Sequence, residues 1–125
     1  MKDPGLKFWT TEPNIFLVAA LDSGKVIGCI SYQKISPDTV EMHRLSVDSN
    51  YRGLGVGKKL VLALSEKAKE YGFKTMYLET SNAQLDAIRL YNNIGFQFVG
   101  QQKIEYWILD HITGLKVFGF SKELQ

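Results

Sequence analysis

Apolar and polar positions alternate along the chain in two different periods, and the change of period marks out the elements. "NIFLVAALD" and "KVIGCISYQ" are rich in β-branched and aromatic residues, and "DSG" between them supplies a tight connection, so a hairpin is expected. "ISPD" turns the chain again, and "VEMHRLSV" follows as a third strand. Strict alternation there puts Glu41, His43, Leu45 and Val47 on one face and Met42, Arg44 and Ser46 on the other. From Gly57 to Tyr71 the period lengthens. Leu60, Val61, Leu64, Ala68 and Tyr71 recur at helical spacing, lysines and Glu66 cover the rest, and Gly72 stops the run. "KTMYLET" reads as a short strand, and Asn82 is placed to cap a second helix with the stripe Ala87, Leu90, Tyr91 and Ile94, ended by Gly95. Two long strands, Phe98 to Leu109 and Leu115 to Leu124, joined by "DHITG", complete the order β-β-β-α-β-α-β-β. The fold class is therefore α/β (α+β), a mixed and mostly antiparallel sheet with two main helices. Residues 1–14, polar and with two prolines, read as a loosely held arm before a single domain over 15–125.

Composition narrows the picture. A chain of 125 residues, 45% of them hydrophobic, can bury one core. The formal charge of +2 comes from mixed signs with no basic tract, so nucleic acid is not an expected partner. The single cysteine, Cys29, lies in an apolar run and reads as a small buried hydrophobe; no disulfide framework and no metal site are expected. "IFLVAAL" and "LVLAL" fall far short of the roughly 20 residues a membrane span needs. With no signal-peptide pattern, the chain as given is expected to be soluble and intracellular.

The stretch "YRGLGVGKKL" carries the candidate chemistry. It is not a P-loop, because Arg52 stands five residues before Gly57 and Lys59 follows Lys58 where a hydroxyl would hold magnesium. A dinucleotide fingerprint would need its third glycine one residue later, although Glu79 at the end of the next strand could accept a ribose. What the loop offers is an anion cradle. Gly53, Gly55 and Gly57 let backbone N–H groups approach a diphosphate at the positive end of a helix, with Arg52 and Lys58 beside it.

"EMHRLSV", "YRGLGVGKKL", "LETSN" and "AIRLYNNIGF" occur in the order and spacing of the GNAT superfamily of N-acetyltransferases. More narrowly, "SVDSNYRGLGVGKKL", "TSNAQLDAIRLYNNIGF" and "VGQQKIEYWILD" resemble N-acetyltransferase family 8. The resemblance covers about residues 15–124. It implies acetyl-CoA as donor and a primary amine, either a small amino-acid derivative or a lysine side chain, as acceptor. It assigns the diphosphate to the loop Arg52, Gly53, Leu54, Gly55, Val56, Gly57 and Lys58, and the pantetheine arm to backbone groups at Leu45 and Val47 and to Asn82. Glu41 matches the family's catalytic glutamate and Tyr91 its tyrosine acid, also in contact with the cofactor. His43 is the alternate base or a relay, since an imidazole exchanges protons near neutral pH.

Two departures accompany the resemblance. The superfamily fold begins with a strand and two helices before the segment at Ile15, and these elements are expected to be missing here. Family 8 members carry an upstream hydrophobic segment, so a longer protein could be membrane-anchored. An incomplete acceptor wall and long C-terminal strands favour a homodimer. The same incompleteness motivates a second reading, a module that holds CoA or a partner without turnover.

Overall fold

The strands of the expected hairpin are β2 (Asn14–Ala20) and β3 (Val26–Lys34) in the computed structural model, which describes residues 5–11 by their backbone, 14–102 and 114–124. Gly24 adopts φ +91° in the turn, where Gly24 and Leu21 donate backbone hydrogen bonds to Leu21 and Lys25. β4 (Thr39–Val47) follows, then a short 3-10 turn at Ser49–Tyr51, α1 (Val56–Glu70), β5 (Thr75–Ser81), α2 (Leu85–Ile94), β6 (Gln97–Gln102) and β7 (Val117–Glu123).

The segment expected as a loose arm contains a strand, β1 (Gly5–Thr11), paired antiparallel with β2 from Gly5–Ala20 to Thr11–Asn14. "FWTT" within it is built of strand formers. The expectation of an absent first strand is corrected accordingly; among the described residues no helix separates β1 from β2. Seven strands form one sheet in the order β1, β2, β3, β4, β5, β7, β6, and β4–β5 is its parallel pair.

Both helices cover one face of this sheet. Leu60, Val61, Leu64 and Ala68 of α1 and Tyr91 of α2 join Ile15, Leu17, Ile30, Tyr32, Val40, Met76, Leu78 and Phe120 in a single core. Tyr71, expected in the apolar stripe, is exposed because α1 ends one residue earlier and Tyr71 serves as its C-cap. There Gly72 donates to Lys69 O and Phe73 to Ala68 O, a Schellman closure. No helix among the described residues is long and apolar enough to cross a membrane. The expected strands at 98–109 and 115–124 correspond to β6 and β7 where described; the rest of the first, and His111, lie outside the described residues.

Asn82 does not cap α2, whose N-cap is Gln84. Its side chain instead donates to Gly114 O at 3.0 Å and accepts from Lys116 N at 3.0 Å, tying the end of β5 to the approach of β7.

The first turn of α1 rests on a glycine inside β3. A Cβ at Gly28 would meet Leu60 Cδ1 and Ser46 O at 3.0 Å and Val56 Cγ1 at 3.3 Å, whereas one at Gly57 would meet Leu90 Cδ2 at 3.4 Å. Gly28→Ala is therefore expected to lower stability by about 1 to 3 kcal/mol, because a backbone carbonyl cannot give way. Gly57→Ala should be neutral or raise stability by up to about 1 kcal/mol through helix propensity. Chemical denaturation of the two variants checks the opposite signs.

Candidate functional site

A bulge in β4 decides what faces what. Cys29 pairs with Ser46 and Ser31 with His43, so β4 spends one more residue than β3 over this interval, and Arg44 takes φ +58°. The predicted shared face of Glu41, His43, Leu45 and Val47 is corrected. Glu41 and His43 alternate with the buried Val40 and Met42 and lie opposite the helices, but past the extra residue Leu45 and Val47 pack against the helix-side core. Side chains of β3 buttress the bulge: Ser31 Oγ donates to His43 O at 3.3 Å and Cys29 Sγ, more weakly, to Arg44 O at 3.7 Å.

β4 and β5 pair only at Thr39–Thr75, Val40–Met76 and Glu41–Tyr77. β4 then continues to Val47 and β5 to Ser81 without pairing, so the strands diverge and the β5-facing backbone groups of β4 face an opening. Leu45 and Val47 border it. The opening joins the helix-covered face to the face that bears Glu41 and His43.

The glycine loop closes its upper end. Gly53 at φ +79° and Gly55 at φ +83° adopt conformations that only glycine takes freely, and a Cβ at either would meet nothing within 4 Å. The space above the loop is open to a ligand. Gly55 is the N-cap of α1 and makes no side-chain cap; Lys59 N is the first to bond back, to Gly55 O at 3.0 Å. The N–H groups of Gly55, Val56, Gly57 and Lys58 thus have no acceptor within the helix. Arg52 Nε donates to Val47 O at 3.3 Å, which fixes the arginine between the end of β4 and the loop. Lys58 and Leu54 are exposed, while Val56 is buried on Gly28. Four open N–H groups, two cations and clear space match the demands of a diphosphate.

Tyr91 is set by the end of α2. Gly95, at φ +112°, donates to Asn92 O and Phe96 to Tyr91 O, and the Phe96 ring meets the Tyr91 ring edge-on at 5.8 Å. This Schellman closure, with its apolar contact, is the physical content of "YNNIGF". Burial pushes the Tyr91 hydroxyl up to about 12, so it stays protonated at neutral pH. Asn82, predicted to meet the pantetheine arm, has its amide committed to Gly114 and Lys116.

On the far face, Glu41 Oε1 lies 3.8 Å from His43 Nε2, too long for a hydrogen bond, and that nitrogen is buried without a hydrogen-bond partner among the described residues. Tyr77, across from Glu41, donates to Glu79 Oε2 at 2.9 Å. Burial raises the Glu41 carboxyl above its ordinary value; His43 opposes this and Glu79 adds to it. Burial and the bond to Glu79 push Tyr77 up to about 12. Sequence reasoning did not find Tyr77 or Gly28. A glycine inside an apolar strand was the available signal for Gly28, whereas Tyr77 becomes visible only through the register of a parallel pair.

Of two cavities, one borders this arrangement and one does not. One of about 500 Å³ on the Glu41 face is lined by Phe16, Ser31, Gln33, His43 and Arg44 among others. The other, about 570 Å³, lies at the far end of α1 among Ser65, Glu66, Lys69 and Lys122 and touches no predicted site residue.

The model of the acetyltransferase (GNAT) family matches residues 2–96. The chain is 37% identical to an N-acetylaspartate synthetase of Xenopus tropicalis over 90% of its own length and 38% of that protein's. It is 30% identical to human N-acetyltransferase 8B over 86% of its length and 45% of that protein's. It thus spans less than half of these relatives. A Bacillus anthracis protein solved in complex with acetyl coenzyme A superposes with a TM-score of 0.83 at 27% identity, covering 93% of this chain and 65% of that one.

The raised Glu41 carboxyl has a stability consequence of definite sign. The folded state holds this proton more tightly than the unfolded chain, so stability is full while both are protonated and declines as pH rises through the folded value. At neutral pH the charged carboxylate is a net cost. Glu41→Gln should therefore melt above the wild type at pH 7, with the difference shrinking as pH falls below the ordinary value of 4.5. Melting curves across pH check this; a variant less stable than wild type at pH 7 contradicts it.

Proposed function

The chain belongs to the acetyltransferase (GNAT) family, and we propose that it transfers the acetyl group of acetyl-CoA to a primary amine by direct attack in a ternary complex. The observation that carries this reading is the divergence of β4 and β5, which opens between a diphosphate-sized cradle on one side and a half-buried carboxylate on the other. The loop from Arg52 to Lys58 binds the donor's diphosphate, and the backbone of Leu45 and Val47 lies along the pantetheine arm, leading the thioester into the opening. Asn82 bonds Gly114 O and Lys116 N through its amide, whose second N–H and second lone pair can still meet the pantetheine arm.

Glu41 accepts the proton that the attacking amine must lose. A lysine-like ammonium titrates near about 10.4, so a base with a raised affinity for protons shortens that gap. His43, 3.8 Å away, can relay the proton onward. As the amine nitrogen bonds to the acetyl carbon and the carbon–sulfur bond breaks, negative charge collects on sulfur. Tyr91 is held protonated by burial, and its contribution is a donated hydrogen bond to that sulfur.

Ligand binding tests the donor side. CoA at 100 times its Kd should add about 2.7 kcal/mol to stability, a melting rise of about 10 °C for a domain of this size. ATP and NADH, lacking the pantetheine arm, should shift it less, and a larger shift with NADH overturns the reading. Gly55→Val should lower the starting melting temperature and abolish the CoA shift, since a side chain there both strains the backbone and fills the cradle.

Turnover tests the chemistry. Tyr91→Phe should lower kcat by about 10- to 100-fold with CoA affinity within a few fold, the worth of one hydrogen bond to a charged group. For Glu41→Gln, activity should fall most at neutral pH and partly recover in alkaline buffer, where the amine is already deprotonated. A CoA shift without turnover of any amine would instead support a binding module.

A further inference from the structure

The bulge in β4 does something that a regular strand cannot: it turns two consecutive side chains, His43 and Arg44, into one cavity. Arg44 reaches that position through φ +58°, a conformation that an arginine adopts at a cost. Among the described residues no carboxylate pairs with its guanidinium, and its side chain is exposed in the cavity beside Ser31, Gln33 and Phe16. The same sheet face carries the opposite charge next to it, Glu41 beside His43 and Glu79 one strand further on. An amine seated at Glu41 therefore has a cation on its other side, at Arg44.

We infer that Arg44 is the specificity residue of the acceptor side, binding an anionic group that the amine acceptor carries. The acceptor of this chemistry is a small amino carboxylate, its ammonium toward Glu41 and its carboxylate on the planar guanidinium fork, which matches a carboxylate in a bidentate fashion. A lysine side chain within a protein has no carboxylate at that distance from its amine. The inference rests on the acetyltransferase reading of the Glu41 face, and it selects between the two acceptor classes that reading leaves.

The test compares α-amino acids with their amides, which keep the amine and neutralise the carboxylate, in steady-state acetylation by the wild type, Arg44→Gln and Arg44→Gly. The CoA melting shift is measured alongside. Wild type should favour the acid over the amide. Both variants should reduce kcat/KM for the acid by about 10- to 100-fold, mainly through KM, and leave the amide within about twofold, as expected for loss of one charged hydrogen-bonding partner. Arg44→Gly accepts φ +58° without cost, so its loss of selectivity cannot be ascribed to a damaged strand. Acid-to-amide ratios that stay equal in wild type and variants overturn the role of Arg44, as does an equal loss on both substrates. Wild type that shows the CoA shift but acetylates none of these substrates, while acetylating lysine side chains of a protein, overturns the amino carboxylate and leaves the transferase standing. A wild type that acetylates nothing overturns both.

Discussion

The arrangement depends on one interrupted contact: β4 and β5 remain hydrogen-bonded for three residue pairs and then part. Parallel strands joined by a helix normally stay paired along their length, because each unpaired N–H and C=O in an interior is costly. Here two neighbouring features offset the loss. The bulge at Arg44 bends β4 away, with its carbonyls supported by Ser31 and Cys29. At the far end, Asn82 holds β5 to the approach of β7 by a side-chain amide, so β5 does not need β4 to keep its course. The resulting gap supplies backbone donors and acceptors that a ligand can use.

That gap lies between two unlike surfaces. The helix side is apolar and close-packed, and the start of α1 comes down onto the sheet because Gly28 has no side chain. The N-terminus of α1, with its unpaired N–H groups, is thereby set against the end of β4, where Arg52 bonds Val47. The opposite face carries polar and ionisable groups: Glu41, His43, Arg44 and Glu79, with Tyr77 bonded to the last. A donor rich in phosphate suits the first side and an ionised acceptor the second. In the proposed reaction the opening lets the two meet without sharing an entrance.

The same asymmetry explains where stability has been given up. A carboxylate in a half-buried setting, an arginine in a left-handed conformation and the chain entropy lost by Gly53 and Gly55 in the loop each cost the fold something. All of them border the opening or the loop above it. Away from it the local rules hold together: Schellman closures end both helices, lysines sit in the last turn of α1, and the interior alternation of β5 is regular.

Local signals in the sequence determined the elements that depend on neighbours in the chain. The 3.6-residue stripes, the stop glycines at 72 and 95, the hairpin at Gly24 and the positive-φ glycines at 53 and 55 are each written within a few residues of where they act. "YNNIGF" carried both the helix end and the place of Tyr91. What went astray was decided by partners far along the chain. The first strand owes its existence to the backbone of β2, and the amide of Asn82 to carbonyl and N–H groups more than 30 residues away. The face of Leu45 and Val47 was misread because alternation assumes an unbroken ladder, and a bulge is a property of two strands in register, not of one. For the same reason Tyr77 and Arg44 became neighbours of the site only in the folded sheet, where strand order and one extra residue, rather than spacing in the sequence, set which side chains meet.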